Sequence, residues 1–129
     1  MRYLVDAHTL LWSQDHISQL STAATAALLD PAQDRLLSVA TVWEIGIKVS
    51  IGKLSLSKPF REWIETAITD LALTIFPITV DHVECQTRLV LHHRDPFDRL
   101  LIAQAIVENV PLISSDAQFD AYGVTRVWE

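Results

Sequence analysis

The sequence predicts an α/β domain: a mostly parallel sheet of four or five short strands, covered by helices on both faces. Two observations carry this. Short apolar runs alternate with longer segments of helical character along the whole chain, and strands separated by helices pair in parallel with helices packed on each side. Acids also recur where strand turns into helix. Asp6 follows Tyr3-Leu4-Val5, Glu44 lies shortly after Leu36-Leu37-Ser38, Asp98 opens the apolar run Leu100-Leu101-Ile102-Ala103, and Asp116 follows Pro111-Leu112-Ile113-Ser114. Such junctions share one edge of an open α/β sheet, and ligands bind at that edge.

The elements follow in order. Residues 2–6 read as a short buried strand, and Leu10, Leu11 and Trp12 continue into a helical turn. Residues 21–29 are rich in Ala and Leu and helical until Asp30-Pro31 stops them. Residues 35–39 form a second strand. A helix over 41–51 ends near Gly52. Pro59 opens another, running to about Leu71, with Phe60, Trp63, Ile64 and Ala67 on one face. Residues 73–78 alternate as a third strand. Residues 79–91 are helical, with Val83, Thr87 and Val90 roughly in line, and residues 96–108 form a strongly apolar helix. Residues 112–114 make a fourth strand and 126–128 a candidate fifth.

Composition narrows the classes. At 129 residues, half of them hydrophobic, the chain is expected to be one domain over residues 1–129 with a substantial core. Charged residues at 20%, with few Gly and Pro, argue against disorder. The single Cys85 excludes an internal disulfide, fits a reducing compartment and reads as a small buried apolar residue. No apolar run is long enough for a membrane span, and Asp6 and His8 break any leader-like stretch, so a cytoplasmic location is expected. A net charge of −6 argues against a nucleic-acid partner unless divalent metal neutralises several acids.

Each acid, taken singly, has a structural explanation. Asp6 and Asp116 can cap the helices that follow them. Asp95-Pro96-Phe97-Asp98 makes a good helix start, with Asp95 as N-cap and Asp98 in the first turn. Thr41 and Glu44 fit a capping box, and Glu44 can pair with Lys48 one turn on. Their joint placement points further. Four carboxylates gathered at one edge repel unless a cation sits among them, and oxygen-only ligands suit Mg²⁺ or Mn²⁺. Capping and metal binding are compatible roles for one carboxylate.

Around these acids, Arg99 is expected to make a surface or intrachain ion pair, with Asp98 as its neighbour. Lys48 is a solvated charge or a phosphate-positioning group. His92 and His93, being adjacent, should point apart, as a polar loop or as phosphate contacts. Ser114 and Ser115 can hydrogen-bond Asp116. Trp12, Trp43, Trp63 and Trp128 read as core or interface.

Four segments carry a family resemblance: Met1-Arg2-Tyr3-Leu4-Val5-Asp6-Ala7-His8; Val42-Trp43-Glu44-Ile45-Gly46-Ile47-Lys48; His93-Arg94-Asp95-Pro96-Phe97-Asp98-Arg99-Leu100-Leu101-Ile102-Ala103-Gln104-Ala105; and Ser114-Ser115-Asp116. In this order, with the closing Tyr122-Gly123-Val124, they resemble the PIN domain, and in particular the VapC-type toxins of prokaryotic toxin–antitoxin pairs. The Asp-Pro-Phe-Asp-Arg-Leu-Leu-Ile-Ala-Gln-Ala block is the most specific part. The resemblance implies a three-layer α/β/α fold and an endoribonuclease dependent on Mg²⁺ or Mn²⁺. It implies Asp6, Glu44, Asp98 and Asp116 as catalytic metal ligands, a homodimer and a small VapB-type antitoxin. Asp98 is preferred to Asp95 as the third acid because it directly precedes the Leu-Leu-Ile-Ala run. Lys48, His93, Arg94, Asp95, Arg99 and Ser115 are candidates for RNA contact or for support of the metal ligands.

Rival readings are less well served. An aspartyl phosphatase wants a second acid two residues after the first, where His8 stands. A phospho-receiver domain wants paired acids after its first strand and an acid ending a middle strand. Another magnesium-dependent phosphoryl-transfer domain, or a non-catalytic binding module with a vestigial site, stays open at this stage.

Overall fold

The computed structural model describes residues 2–93 and 95–129. β1 (Arg2–Val5) leads into α1 (Ala7–Asp15), a 3₁₀ turn (Ile17–Gln19) and α2 (Thr22–Leu29). β2 (Asp34–Ser38) is followed by α3 (Val39–Ser50) and α4 (Phe60–Asp70), then β3 (Leu73–Phe76), α5 (Val80–Thr87) and α6 (Pro96–Glu108). β4 (Leu112–Ile113), a 3₁₀ helix (Ala117–Tyr122) and β5 (Arg126–Val127) complete the order.

The sheet runs β3-β2-β1-β4-β5, and every pairing is parallel. Successive residues of a strand face opposite sides, so each buried strand needs two apolar residues in a row. Leu4, Leu36 and Leu112 meet Leu101, Ile102 and Phe119 on one face. Val5, Leu37 and Ile113 meet Leu10, Leu28, Ile45 and Trp63 on the other. The chain steps from β1 outward to β3 with α1 to α4 on one face. It then returns to β4, on the far side of β1, with α5 and α6 on the other. Right-handed crossovers require this change of face when the direction of winding reverses. The reversal falls between β1 and β4, where the crevice at the carboxyl edge opens.

The ends of the elements show where local sequence decided. Ser21 caps α2, its Oγ accepting from Ala24 N–H at 3.0 Å. β3 stops before Pro77. α6 ends at Asn109, whose φ of 54° is left-handed, a conformation that Asn tolerates better than most residues. Three expectations are corrected. The helix expected from Thr41 starts two residues earlier because Ser38 caps it through Ala40 N–H, so Thr41 and Glu44 are buried helix residues and form no capping box. The capping box occurs instead on α5, between Thr79 and His82. That helix ends at Thr87 rather than near Leu91, and the buried Arg99 guanidinium takes up the carbonyl of Gln86 in its last turn and those of Leu89 and Val90 beyond it.

Candidate functional site

Two of the four acids are delivered by the central strands. Asp6 directly follows β1, and Asp116 lies just beyond β4. Asp6 caps α1, its Oδ1 accepting from Thr9 N–H at 2.8 Å, while Thr9 Oγ1 donates to Ile113 O at 3.0 Å. The first turn of α1 is thereby tied to β4, beside Asp116. Asp116 caps the following 3₁₀ helix through Gln118 N–H at 3.0 Å. Its own backbone N–H donates to Ser114 Oγ at 3.0 Å. Asp98 projects from the first turn of α6, and Glu44 from α3, which packs against α6.

These acids line one cleft of about 260 Å³, together with Lys48, His93, Asp95 and Ser115. The structure therefore brings together all but two of the residues expected to support the site. Arg94 lies outside the described residues. Arg99 turns away: its guanidinium donates to Gln86 O and Val90 O at 3.2 Å and to Leu89 O at 3.3 Å. It fastens the end of α5 to α6, and the expected partnership with Asp98 is replaced by these carbonyls.

Charge in the cleft is unbalanced toward the negative. Asp98 is pushed up to about 7, by burial first and then by the neighbouring Asp95 and Glu44, with His93 opposing. Burial likewise raises Asp6, against hydrogen bonds from Ser114 and Thr9. Lys48 is held above the ordinary lysine value by its hydrogen bond to Glu44, and further by Asp95 and Asp98, against a smaller effect of burial. A carboxylate whose ionisation is opposed by other carboxylates is relieved by a cation. The donor geometry fits one. His93, Asp98 and Asp116 each offer an atom within 4.8 Å of the others, as do Glu44, Asp95 and Asp98. The acids of the cleft are oxygen donors of the kind Mg²⁺ and Mn²⁺ prefer.

Three neighbours were not singled out from sequence. His8 and Gln118 line the cleft, and Tyr122 Oη accepts from the backbone N–H groups of His92 and His93 at 3.0 and 2.9 Å. His8 had a local signal, standing two residues after Asp6 on the first turn of α1. Tyr122 stood in the sequence only as part of the closing Tyr122-Gly123-Val124, and its contact with the histidines spans some thirty positions. The two adjacent histidines diverge as expected: the His92 ring packs edge-on to Tyr122, and His93 turns inward over Phe119. A larger hollow of about 500 Å³, between Ala105 and Thr125, carries no charged side chain.

The PIN domain family model matches residues 3–124. The chain belongs to the PIN domain family. Its fold is shared at low identity with solved structures, among them a member of the VapBC family of toxin–antitoxin systems. VapBC2 from Rickettsia felis, solved bound to a DNA fragment from its promoter, is 14% identical over 100% of both chains, with a TM-score of 0.70. FitAcB from Neisseria gonorrhoeae is 20% identical, covering 96% of this chain and 95% of its own, with a TM-score of 0.67. VapBC-5 from Mycobacterium tuberculosis is 16% identical over 99% and 98%, with a TM-score of 0.64. No curated protein matches the chain. Among the described residues no helix is long and apolar enough to cross a membrane.

Proposed function

We propose that this PIN domain is a metal-dependent endoribonuclease of the VapC type, the toxin of a toxin–antitoxin pair. The observation that carries the reading is the convergence of Asp6, Glu44, Asp98 and Asp116 on one cleft, with Asp98 raised to about 7. Asp98 and Asp116, with Asp6 and Glu44 beside them, would hold Mg²⁺ or Mn²⁺. When bound, the metal would acidify a water to supply hydroxide for attack on phosphorus and would offset charge on the leaving oxygen.

The chain's own residues have distinct parts in this. Asp6 is fixed by Thr9 and Asp116 by Gln118, so both carboxylates are oriented before any ligand arrives. Glu44 is held by Lys48 at 2.8 Å, leaving its second oxygen for the centre. Lys48, partly exposed at the rim, is suited to an RNA phosphate. Cleavage of a mixed RNA pool with Mg²⁺ or Mn²⁺, abolished by chelator and by Asp98→Asn, is the expected result. An active chelated enzyme would sink the metal-dependent reading.

Partners follow from surface chemistry and from the solved complexes that share the fold. A four-carboxylate cleft attracts guanidinium groups, so a small VapB-type antitoxin would insert a basic side chain there. A hollow of about 410 Å³ between α3 and α4, lined by Val42, Phe60, Ile64 and Ile68, would hold an apolar stretch of the same partner. Large apolar side chains left in solvent, with Val80 at 83% and Ile17 at 67% exposure, support a homodimer. Sedimentation of the purified chain at micromolar concentration tests this, and a pure monomer would overturn it.

A further inference from the structure

We propose that His93 is a positioning residue that carries its ring proton on Nε2 and clamps Asp98 to Asp116, without itself ligating the metal. This rests on the proposed metal-dependent function and deepens it.

The placement of the ring is fixed from three sides. Tyr122 Oη holds the backbone N–H groups of His92 and His93. The ring lies 5.8 Å, centroid to centroid, from that of the buried Phe119. Its Nδ1 accepts from Asp95 N–H at 3.2 Å. Asp95 is the N-cap of α6, so its own N–H lies outside the helical ladder and is free to donate there.

That contact decides the tautomer. A backbone N–H can only donate, so Nδ1 must present its lone pair, and the neutral ring then carries its hydrogen on Nε2. Nε2 lies 3.1 Å from Asp98 Oδ2 and 3.1 Å from Asp116 Oδ2. Nε2–H donates to Asp116 Oδ2 and stands in close polar contact with Asp98 Oδ2 at the same distance, so it faces two carboxylates that arrive on different elements, the segment after β4 and α6. Ligation through Nε2 would need the opposite tautomer. Nδ1–H would then face Asp95 N–H, donor against donor. Metal-binding histidines instead turn the second N–H toward a carboxylate, carbonyl or water. The surroundings of His93 suit a donor to ligands and not a ligand. Each carboxylate oxygen it touches keeps a second lone pair for a cation.

The experiment combines side-chain ¹⁵N NMR with calorimetry on the full chain. Long-range ¹H–¹⁵N spectra, with His93→Gln used to assign the signal, should show the Nε2–H tautomer in both metal-free and Mg²⁺-saturated protein. His93→Ala should weaken Mg²⁺ binding about tenfold or more, the usual consequence of losing a support for a metal ligand. His93→Gln places an amide donor near the position of Nε2 and should recover most of that affinity. An Nδ1–H tautomer in the Mg²⁺ form, or a directly coordinated ¹⁴N in the spin-echo spectrum of bound Mn²⁺ that disappears in His93→Gln, would make His93 a ligand and overturn the proposal. Unchanged Mg²⁺ affinity in His93→Ala would overturn it as well. A wild-type chain that binds no Mg²⁺ would bring down the metal-dependent function itself, which separates that failure from the other two.

Discussion

Lys48 Nζ lies 2.8 Å from Glu44 Oε2, one turn along α3. Glu44 is almost wholly buried, and Lys48 is the cation that accompanies it into the cleft. Removing one member of such a pair leaves the other charged and without its partner. Lys48→Met keeps most of the aliphatic stem and deletes the charge. It should lower metal-free stability by about 1–2 kcal/mol, less than for a fully buried pair because the lysine is partly solvated. Saturating Mg²⁺ should shrink the loss, since a second cation can serve Glu44. Urea melts with EDTA and with Mg²⁺ make the comparison, and equal losses in both would show that Glu44 lies outside the metal's reach.

A pH dependence follows from the raised acids. Asp98 is pushed up to about 7, and Asp6 is raised in the same direction. Between about pH 4 and 7 the folded chain therefore keeps protons that the unfolded chain has released, so metal-free stability falls as pH rises through that window. Asp15 and Asp120 act oppositely. Partial burial pushes Asp15 up, but hydrogen bonds from Ser57 and Trp63 outweigh it and hold it low, and Arg126 lowers Asp120. What they contribute is lost only as pH falls below the ordinary carboxylate range. Thermal melts in EDTA should peak near pH 4–5 and decline toward neutrality. Asp98→Asn should flatten the decline, and Mg²⁺ should stabilise more as pH rises, because it competes with protons for the same oxygens. A decline unchanged in Asp98→Asn would assign it to other groups.

Arg99 illustrates what local sequence cannot disclose. Its neighbour Asp98 suggested an ion pair, yet the side chain reaches back across α6 to the Gln86 carbonyl in the last turn of α5 and to those of Leu89 and Val90 just after it. Arg99→Met should cost about 2–3 kcal/mol, because buried carbonyls lose a charged donor. The folded fraction should bind RNA with an unchanged salt dependence. A slope reduced by about 0.7 would instead mark a lost phosphate contact.

The strands, the order of helices and the four convergent acids were legible because each is written locally. Apolar pairs such as Leu36-Leu37 announce a strand buried on both faces, and Asp95-Pro96 announces a helix start. Where competing caps stood close together the choice was not local. Ser38 and Thr41 both suit an N-cap, and only the position at which β2 leaves the sheet selects Ser38. The carbonyls at the end of α5 are taken up by Arg99 from another helix. Tyr122 likewise holds the His93 loop through a contact that no spacing rule anticipates.

The two acids of the Asp95-Pro96-Phe97-Asp98 turn can be told apart by what each already does. Asp95 Oδ1 accepts from Phe97 N–H at 2.8 Å and from Asp98 N–H at 3.3 Å, which commits that oxygen to capping α6. Asp98 stands between the other acids, within 4.8 Å of Asp116 on one side and of Glu44 on the other. Asp95→Asn keeps a side-chain acceptor for the cap and should leave both fold and Mg²⁺ affinity largely intact, whereas Asp95→Ala should cost about 1 kcal/mol of stability. Asp98→Asn should abolish Mg²⁺ binding and RNA cleavage while raising metal-free stability increasingly as pH rises through 7, where burial of the charge and repulsion from Asp95 and Glu44 both oppose its ionisation. Calorimetry and cleavage assays on the two Asn variants separate the roles. If Asp95→Asn loses activity and Asp98→Asn retains it, the assignments of cap and ligand must be exchanged.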